Sequence, residues 1–295
     1  GLFPPAKLDM GKATENYARA RMGTHAFMLG RFACPASRLH HLSEAASVLM
    51  PGTHATSGYR EHADVLEPWS VSAIIDCPLE ESIELIEAFD EHHSVEVHGL
   101  ARVDAVELRA KSPAFIDDAL ELIPDDIAPF FEVPVVEDCR GFIAALAGNN
   151  AAGKIRCGGL TPDAIPAAEH IAAFMIACHG ARVSFKTTAG LHHPLRAEHN
   201  LTYEPASPRG TMHGFVNVFL GATLLQRFDA SHAELVALLD ERDPDAFNWA
   251  RESVTWHDYT LDVVDIARAR ETFALSIGSC SFDEPVTDLA SLGWM

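Results

Sequence analysis

The chain has 295 residues, a formal net charge of -20 and an apolar fraction of 48%. That length suits one large α/β barrel or two modest domains whose core needs no metal or disulfide staple. The charge makes a nucleic-acid groove or an anionic membrane surface an unfavourable partner, because the whole-molecule field repels polyphosphate.

No apolar run approaches the ~20 residues that cross a bilayer. The opening GLFPPAKLDM lacks the basic and apolar regions of a signal peptide. Six cysteines without a C-x-x-C pair read as reduced thiols. The expectation is a cytoplasmic protein with no membrane and no nucleic-acid partner; a homo-oligomer is compatible with all of this.

Along the chain, residues 9–21 read as a helix behind the loop LFPPAK. Strand-like runs then alternate with helical periodicity: LGRFACP before SRLHHLSEAASVLM, VSAIIDC before LEESIELIEAFDEH, VDAVELRA before SPAFIDDALELI, and FFEVPVV before CRGFIAALAG. GKIRCGGL precedes AIPAAEHIAAFMIACHG, VSFKTTAG precedes MHGFVNVFLGATLLQ, and FALSIGSCS precedes EPVTDLASLG. Alternation of this kind predicts parallel βα units. With a further strand at or before residue 1, the units make a (β/α)8 TIM-type barrel, one domain over residues 1–295, with a helical insertion (residues 227–270) before the last strand. A doubly wound sheet is the rival, and no G-x-G-x-x-G turn follows an early strand.

Several of these strands alternate polar and apolar residues, as barrel strands do when one set points into the interior. Glu107 and Arg109, Lys154 and Arg156, and Ser184, Lys186 and Thr188 share such faces; Arg31, Asp76, Glu132 and Ser276 fit the same face of theirs. Gathered at one mouth, Arg31, Arg109, Lys154, Arg156 and Lys186 would be locally cationic inside an acidic protein, which points to a small anionic guest carrying carboxylate or phosphate. The competing reading is mutual ion pairing for structure.

Only five lysines occur, and Lys154 and Lys186 stand at matching depth on consecutive predicted strands. Two ammonium groups ~5 Å apart repel by about 3 kcal/mol at an effective dielectric of ~20, which favours the neutral amine a Schiff-base nucleophile needs. Phe185-Lys186-Thr187-Thr188-Ala189-Gly190 resembles the lysine-bearing strand of deoxyribose-phosphate aldolases and related class I barrel aldolases, and Lys154-Ile155-Arg156-Cys157-Gly158-Gly159 is similar to their second lysine strand. The resemblance implies Lys186 as imine former and Lys154 as the neighbour that activates it. The two strands stand in the opposite order from the family's. Asp76 is the stand-in for the family's acid/base aspartate, and Glu107 joins the catalytic set.

His192 and His193 follow Gly190, and His213 begins the next helix after a loop long enough to act as a lid. With Glu132 or Glu137 they define an alternative, a divalent metal site; otherwise His192 is a general acid/base. Gly158, Gly159 and Gly190, with Ser279 and Ser281 after the last strand, are anion-cradle positions, alongside Arg31, Arg109, Arg156 and Thr188; plain turn geometry is the competing reading. Cys157 and Cys280 read as buried inert thiols.

The leading expectation is a lyase of aldolase type, needing no cofactor, that acts on a small anionic carbonyl or phosphate compound. The alternatives are a metal-dependent barrel enzyme and a non-catalytic barrel that binds an anionic metabolite.

Overall fold

Short runs of branched and aromatic residues, each followed by a helix that cannot bury its apolar stripe alone, are the seed of the architecture. The computed structural model describes residues 1–52, 67–134 and 138–295. Its strands are β1 (Phe32–Pro35), β2 (Trp69–Ile74), β3 (Ala101–Arg109), β4 (Ala128–Glu132), β5 (Ala152–Arg156), β6 (Phe185–Thr188), β7 (Ala197–Asn200), β8 (Arg209–Met212), β9 (Phe247–Trp249), β10 (Ser253–Trp256), β11 (Tyr259–Asp262) and β12 (Ala274–Gly278). A seven-stranded sheet runs in the order β1-β2-β3-β4-β5-β6-β12, parallel in each of the registers β1/β2, β2/β3, β5/β6 and β6/β12. The fold is therefore a mixed α/β one on a parallel sheet. β1 and β12 are the ends of that order, and among the described residues no pairing joins them. Residues 1–9 carry no strand.

The chain divides into two compact units: residues 1–3, 7–109 and 114–130 in the first, and residues 4–6, 110–113 and 131–295 in the second. In the first unit, Asp9 caps α1 (Met10–Arg21) by accepting from Lys12 N at 2.8 Å. The helix buries Met10, Ala13, Tyr17 and Ala20, a spacing that makes one apolar stripe. Tyr17 packs edge-on against Phe32 and Trp69, with ring centroids 5.3 and 4.8 Å away. The stripe thus meets the start of β1 and β2.

In the second unit, β5, β6 and β12 present Ile155, Phe185 and Ala274 as buried residues. Phe185 sits edge-on to Phe174 of α6 (Ala168–Ala181), 5.6 Å between ring centroids, and Phe174 also covers Gly153. Since side chains alternate across a strand, Lys154, Arg156, Lys186 and Thr188 belong to the opposite face.

Residues 227–270 differ from the helical insertion expected there. They contain α8 (His232–Leu239), opened by a Ser231/Glu234 capping box, but also the antiparallel meander β9-β10-β11 before α9 (Val263–Thr272). Trp256 pairs with Tyr259, leaving His257-Asp258 as a two-residue turn with His257 at φ 49°. Such a turn is the tight hairpin form; it needs no glycine here, so the usual sequence mark is missing. The loop after Gly190 likewise contains the hairpin β7–β8.

Candidate functional site

Lys154 of β5 lies directly across from Lys186 of β6, and Lys186 from Ser276 of β12. Residues in register on neighbouring parallel strands have Cα atoms ~4.8 Å apart and send their side chains to the same face. Lys154 is only 5% exposed, and its Nζ stands 2.9 Å from Glu132 Oε2. Arg156 Nε reaches the other oxygen, Oε1, at 3.5 Å. Glu132 thus holds two cations, spaced two residues apart on one strand, with one carboxylate. The Arg156 side chain remains 47% exposed, so its guanidinium is open to solvent at the C-terminal end of β5.

Past these residues the strands end in tight turns. A Cβ on Gly158 would lie 2.9 Å from Gly190 Cα, and Gly190 itself has φ +71°. A Cβ on Gly159 would meet Ala164 Cβ at 2.6 Å, and one on Gly278 would meet Thr188 Oγ1 at 2.8 Å. Close approach of backbone at Gly158 and Gly190, and of the Ala164 and Thr188 side chains at Gly159 and Gly278, accounts for glycine at these positions.

His192 follows the turn after β6 and is 4% exposed. Its Nδ1 is 3.0 Å from Ser279 Oγ and 3.6 Å from Glu284 Oε2. The Ser279 hydroxyl gives its proton to Ser281 O at 2.7 Å, so toward His192 it can only accept. Nδ1 therefore carries the ring proton, and Nε2 holds a lone pair. Burial, with His193 adding, lowers the His192 pKa to about 4, which keeps the ring neutral near pH 7. Cys280 Sγ stands 3.7 Å from Nδ1 and 3.9 Å from Nε2; burial raises its pKa and favours the thiol. Tyr203, on the turn of the β7–β8 hairpin, donates to Glu284 Oε2 at 3.0 Å. Burial, then Cys280 and Glu284, raise its pKa and keep the phenol protonated. Ser281 Oγ accepts from Glu284 N at 3.2 Å, so both expected cradle hydroxyls are engaged within the turn.

The other expected histidines go to different partners. His193 Nδ1 is 2.5 Å from Asp288 Oδ2, and its ring stacks on His199 at 3.4 Å. His213 is fully buried. It accepts from Arg196 Nη1 on Nδ1 at 2.7 Å and donates from Nε2 to Pro166 O at 2.7 Å, and burial lowers its pKa to about 4. Among the described residues no group of three or more His, Cys, Asp or Glu side chains is placed to hold a metal ion. Glu137 lies outside the described residues.

In the first unit, Glu107 is 3% exposed and accepts from Ser72 Oγ at 2.7 Å. Asp76, just past the C-terminal end of β2, accepts from Ser37 N and Oγ at 3.0 and 2.6 Å. Arg109 is exposed and ends β3. Arg31 precedes the first residue of β1, at the opposite end of its strand from the C-terminal edge, and pairs with Asp104 at 2.6 Å. Period-two alternation shows which face a residue takes and is silent about which end of the strand it occupies.

Tyr203 and Glu284 are the members of the His192 cluster that sequence reasoning missed. They stand 81 positions apart, and no spacing rule joins them. No helix among the described residues is long and apolar enough to cross a membrane. Comparison with protein-family models, curated proteins and solved structures finds no match to this chain.

Proposed function

We propose that the chain is an enzyme of the lyase class that forms an imine between Lys186 and a small anionic carbonyl compound, on a barrel-type α/β scaffold. The observation that carries this reading is the register of Lys154 with Lys186. A buried amine fixed by Glu132 lies beside a second amine on the same face, and a neighbouring cation is a standard means of keeping the nucleophilic amine unprotonated. Lys186 Nζ adds to the carbonyl carbon, and the carbinolamine then loses water to leave the iminium. That cation draws in the electron pair of a bond at the adjacent carbon. Arg156, solvent-open at the same strand edge, supplies a fork for the carboxylate or phosphate of the substrate. Thr188, two residues beyond Lys186, offers a hydroxyl to the same group.

The test is reduction with borohydride in the presence of pyruvate, glyceraldehyde 3-phosphate or dihydroxyacetone phosphate, followed by peptide mass mapping. The expected result is a stable adduct on Lys186 that Lys186→Met abolishes. Adducts confined to other lysines, or none with any of the compounds, would remove the imine chemistry. Retained binding of the same anions by the Lys186→Met protein, with no adduct in its parent, would mark a binding module instead.

A further inference from the structure

Imine chemistry at Lys186 needs a group that takes a proton from the carbon beside the C=N bond and returns it. We propose that Glu284 is that proton-transferring carboxylate, with Tyr203 as its positioning residue. The inference rests on the imine reading above and adds to it an acid/base group from beyond the end of β12.

Strand register supplies the placement. Lys186 is level with Ser276, and Thr188 with Gly278. Ser279 comes next, and its hydroxyl meets His192. At ~3.3 Å per residue, the Ser279 turn lies about 10 Å beyond the Lys186 backbone along the strand, a rise that a lysine side chain carrying a small carbonyl compound spans. The Glu284 side chain is 26% exposed at this edge. Its Oε2 is occupied by Tyr203 and faces His192 Nδ1, whereas Oε1 accepts no hydrogen bond among the described residues. One oxygen is thus anchored while the other is left for substrate. Tyr203, held protonated, can donate to Glu284 but not act as the base itself. The buried His192, whose Nδ1 proton goes to Ser279 Oγ, stands 3.6 Å from the same Glu284 oxygen.

The step balances within the chain. The C–H bond next to the iminium breaks, its proton goes to Glu284 Oε1, and its electron pair forms the C=C bond of the enamine as the C=N pair moves onto Lys186 nitrogen. Reversal returns the proton to carbon.

The experiment follows deuterium uptake into the methyl group of pyruvate in 2H2O, beside borohydride trapping on Lys186, for the parent protein, Glu284→Gln, Glu284→Asp and Tyr203→Phe. General acid–base catalysis contributes ~100-fold or more, so Glu284→Gln should lower exchange by about that factor while the Lys186 adduct still forms. Glu284→Asp should recover part of the rate, and Tyr203→Phe should lose roughly 10-fold. Exchange within twofold of the parent in Glu284→Gln, with trapping intact, overturns Glu284 and leaves the imine reading standing. Absence of any Lys186 adduct in the parent overturns both. Tyr203 is 59% exposed, so Tyr203→Phe decides the matter if Glu284→Gln does not fold: unchanged exchange there counts against the proposal.

Discussion

Gly158 and Gly190 meet backbone to backbone where β5 and β6 end, each leaving about 3 Å for a Cβ directed at the other's Cα. Gly158→Ala should therefore destabilise the fold by about 2 kcal/mol, the usual cost of overpacking. Gly190→Ala should cost more, because its φ of +71° adds left-handed strain to the same clash. Urea midpoints at constant m-value check the order; equal stability of both variants and parent would show that the turns yield freely.

Glu132 is the carboxylate 2.9 Å from the buried Lys154 ammonium. Removing one partner of a buried ion pair costs about 3 kcal/mol, but Lys154→Met leaves Glu132 with Arg156 3.5 Å away, so the remaining carboxylate keeps a cation beside it. Glu132→Ala should thus lower stability well beyond Lys154→Met, as read by chemical denaturation, and Glu132→Ala with Lys154→Met should recover part of the loss.

His192 and His213 both have folded-state pKa values lowered to about 4 by burial, against ~6.5 in an unfolded chain. The unfolded state therefore binds more protons between those values, and stability rises with pH across that window. The contribution is complete above about pH 6.5 and is lost progressively as pH falls toward 4, on the order of 3 kcal/mol for each ring. Unfolding free energy measured between pH 7 and 4 should decline steeply, and His213→Gln should reduce the slope by about one proton. An unchanged slope would show that His213 protonates without leaving its site.

Burial pushes the thiols of Cys34 and Cys157 up to about 12 and raises that of Cys178 as well. All three are buried, while Cys77 is part-exposed and 3.0 Å from Ser82 Oγ. Thiolates are the reacting species, so maleimide labelling of the native protein at pH 7 should modify Cys77 first. Cys34, Cys157 and Cys178 should react only on unfolding, as read by peptide mass mapping. Early labelling of Cys157 would contradict the packing beneath β5.

Much of the scaffold could be read without coordinates. The two-residue period of Lys154-Ile155-Arg156 and Phe185-Lys186-Thr187 already places both lysines on one face of their strands, because that period is a property of the extended backbone. The same reasoning put Arg31 beside them, although it sits at the N-terminal end of β1 and pairs with Asp104. It grouped His213 with His192 and His193, although Arg196 and Pro166 bind His213. It read helices where β9, β10 and β11 pair, since His257-Asp258 carries no turn signature of its own. Each of these depends on a partner far along the chain.

The amino-acid order alone determined the alternation of strands and helices and the polar and apolar faces of several strands. These follow from local geometry, which acts over a handful of residues. The matching depth expected of Lys154 and Lys186 became a strand register in the tertiary structure, which alone decided that Glu132 bridges Lys154 and Arg156 and that Tyr203 reaches Glu284. Those relations are set by hydrogen-bond register and packing between distant segments, and no periodicity along a single strand records them.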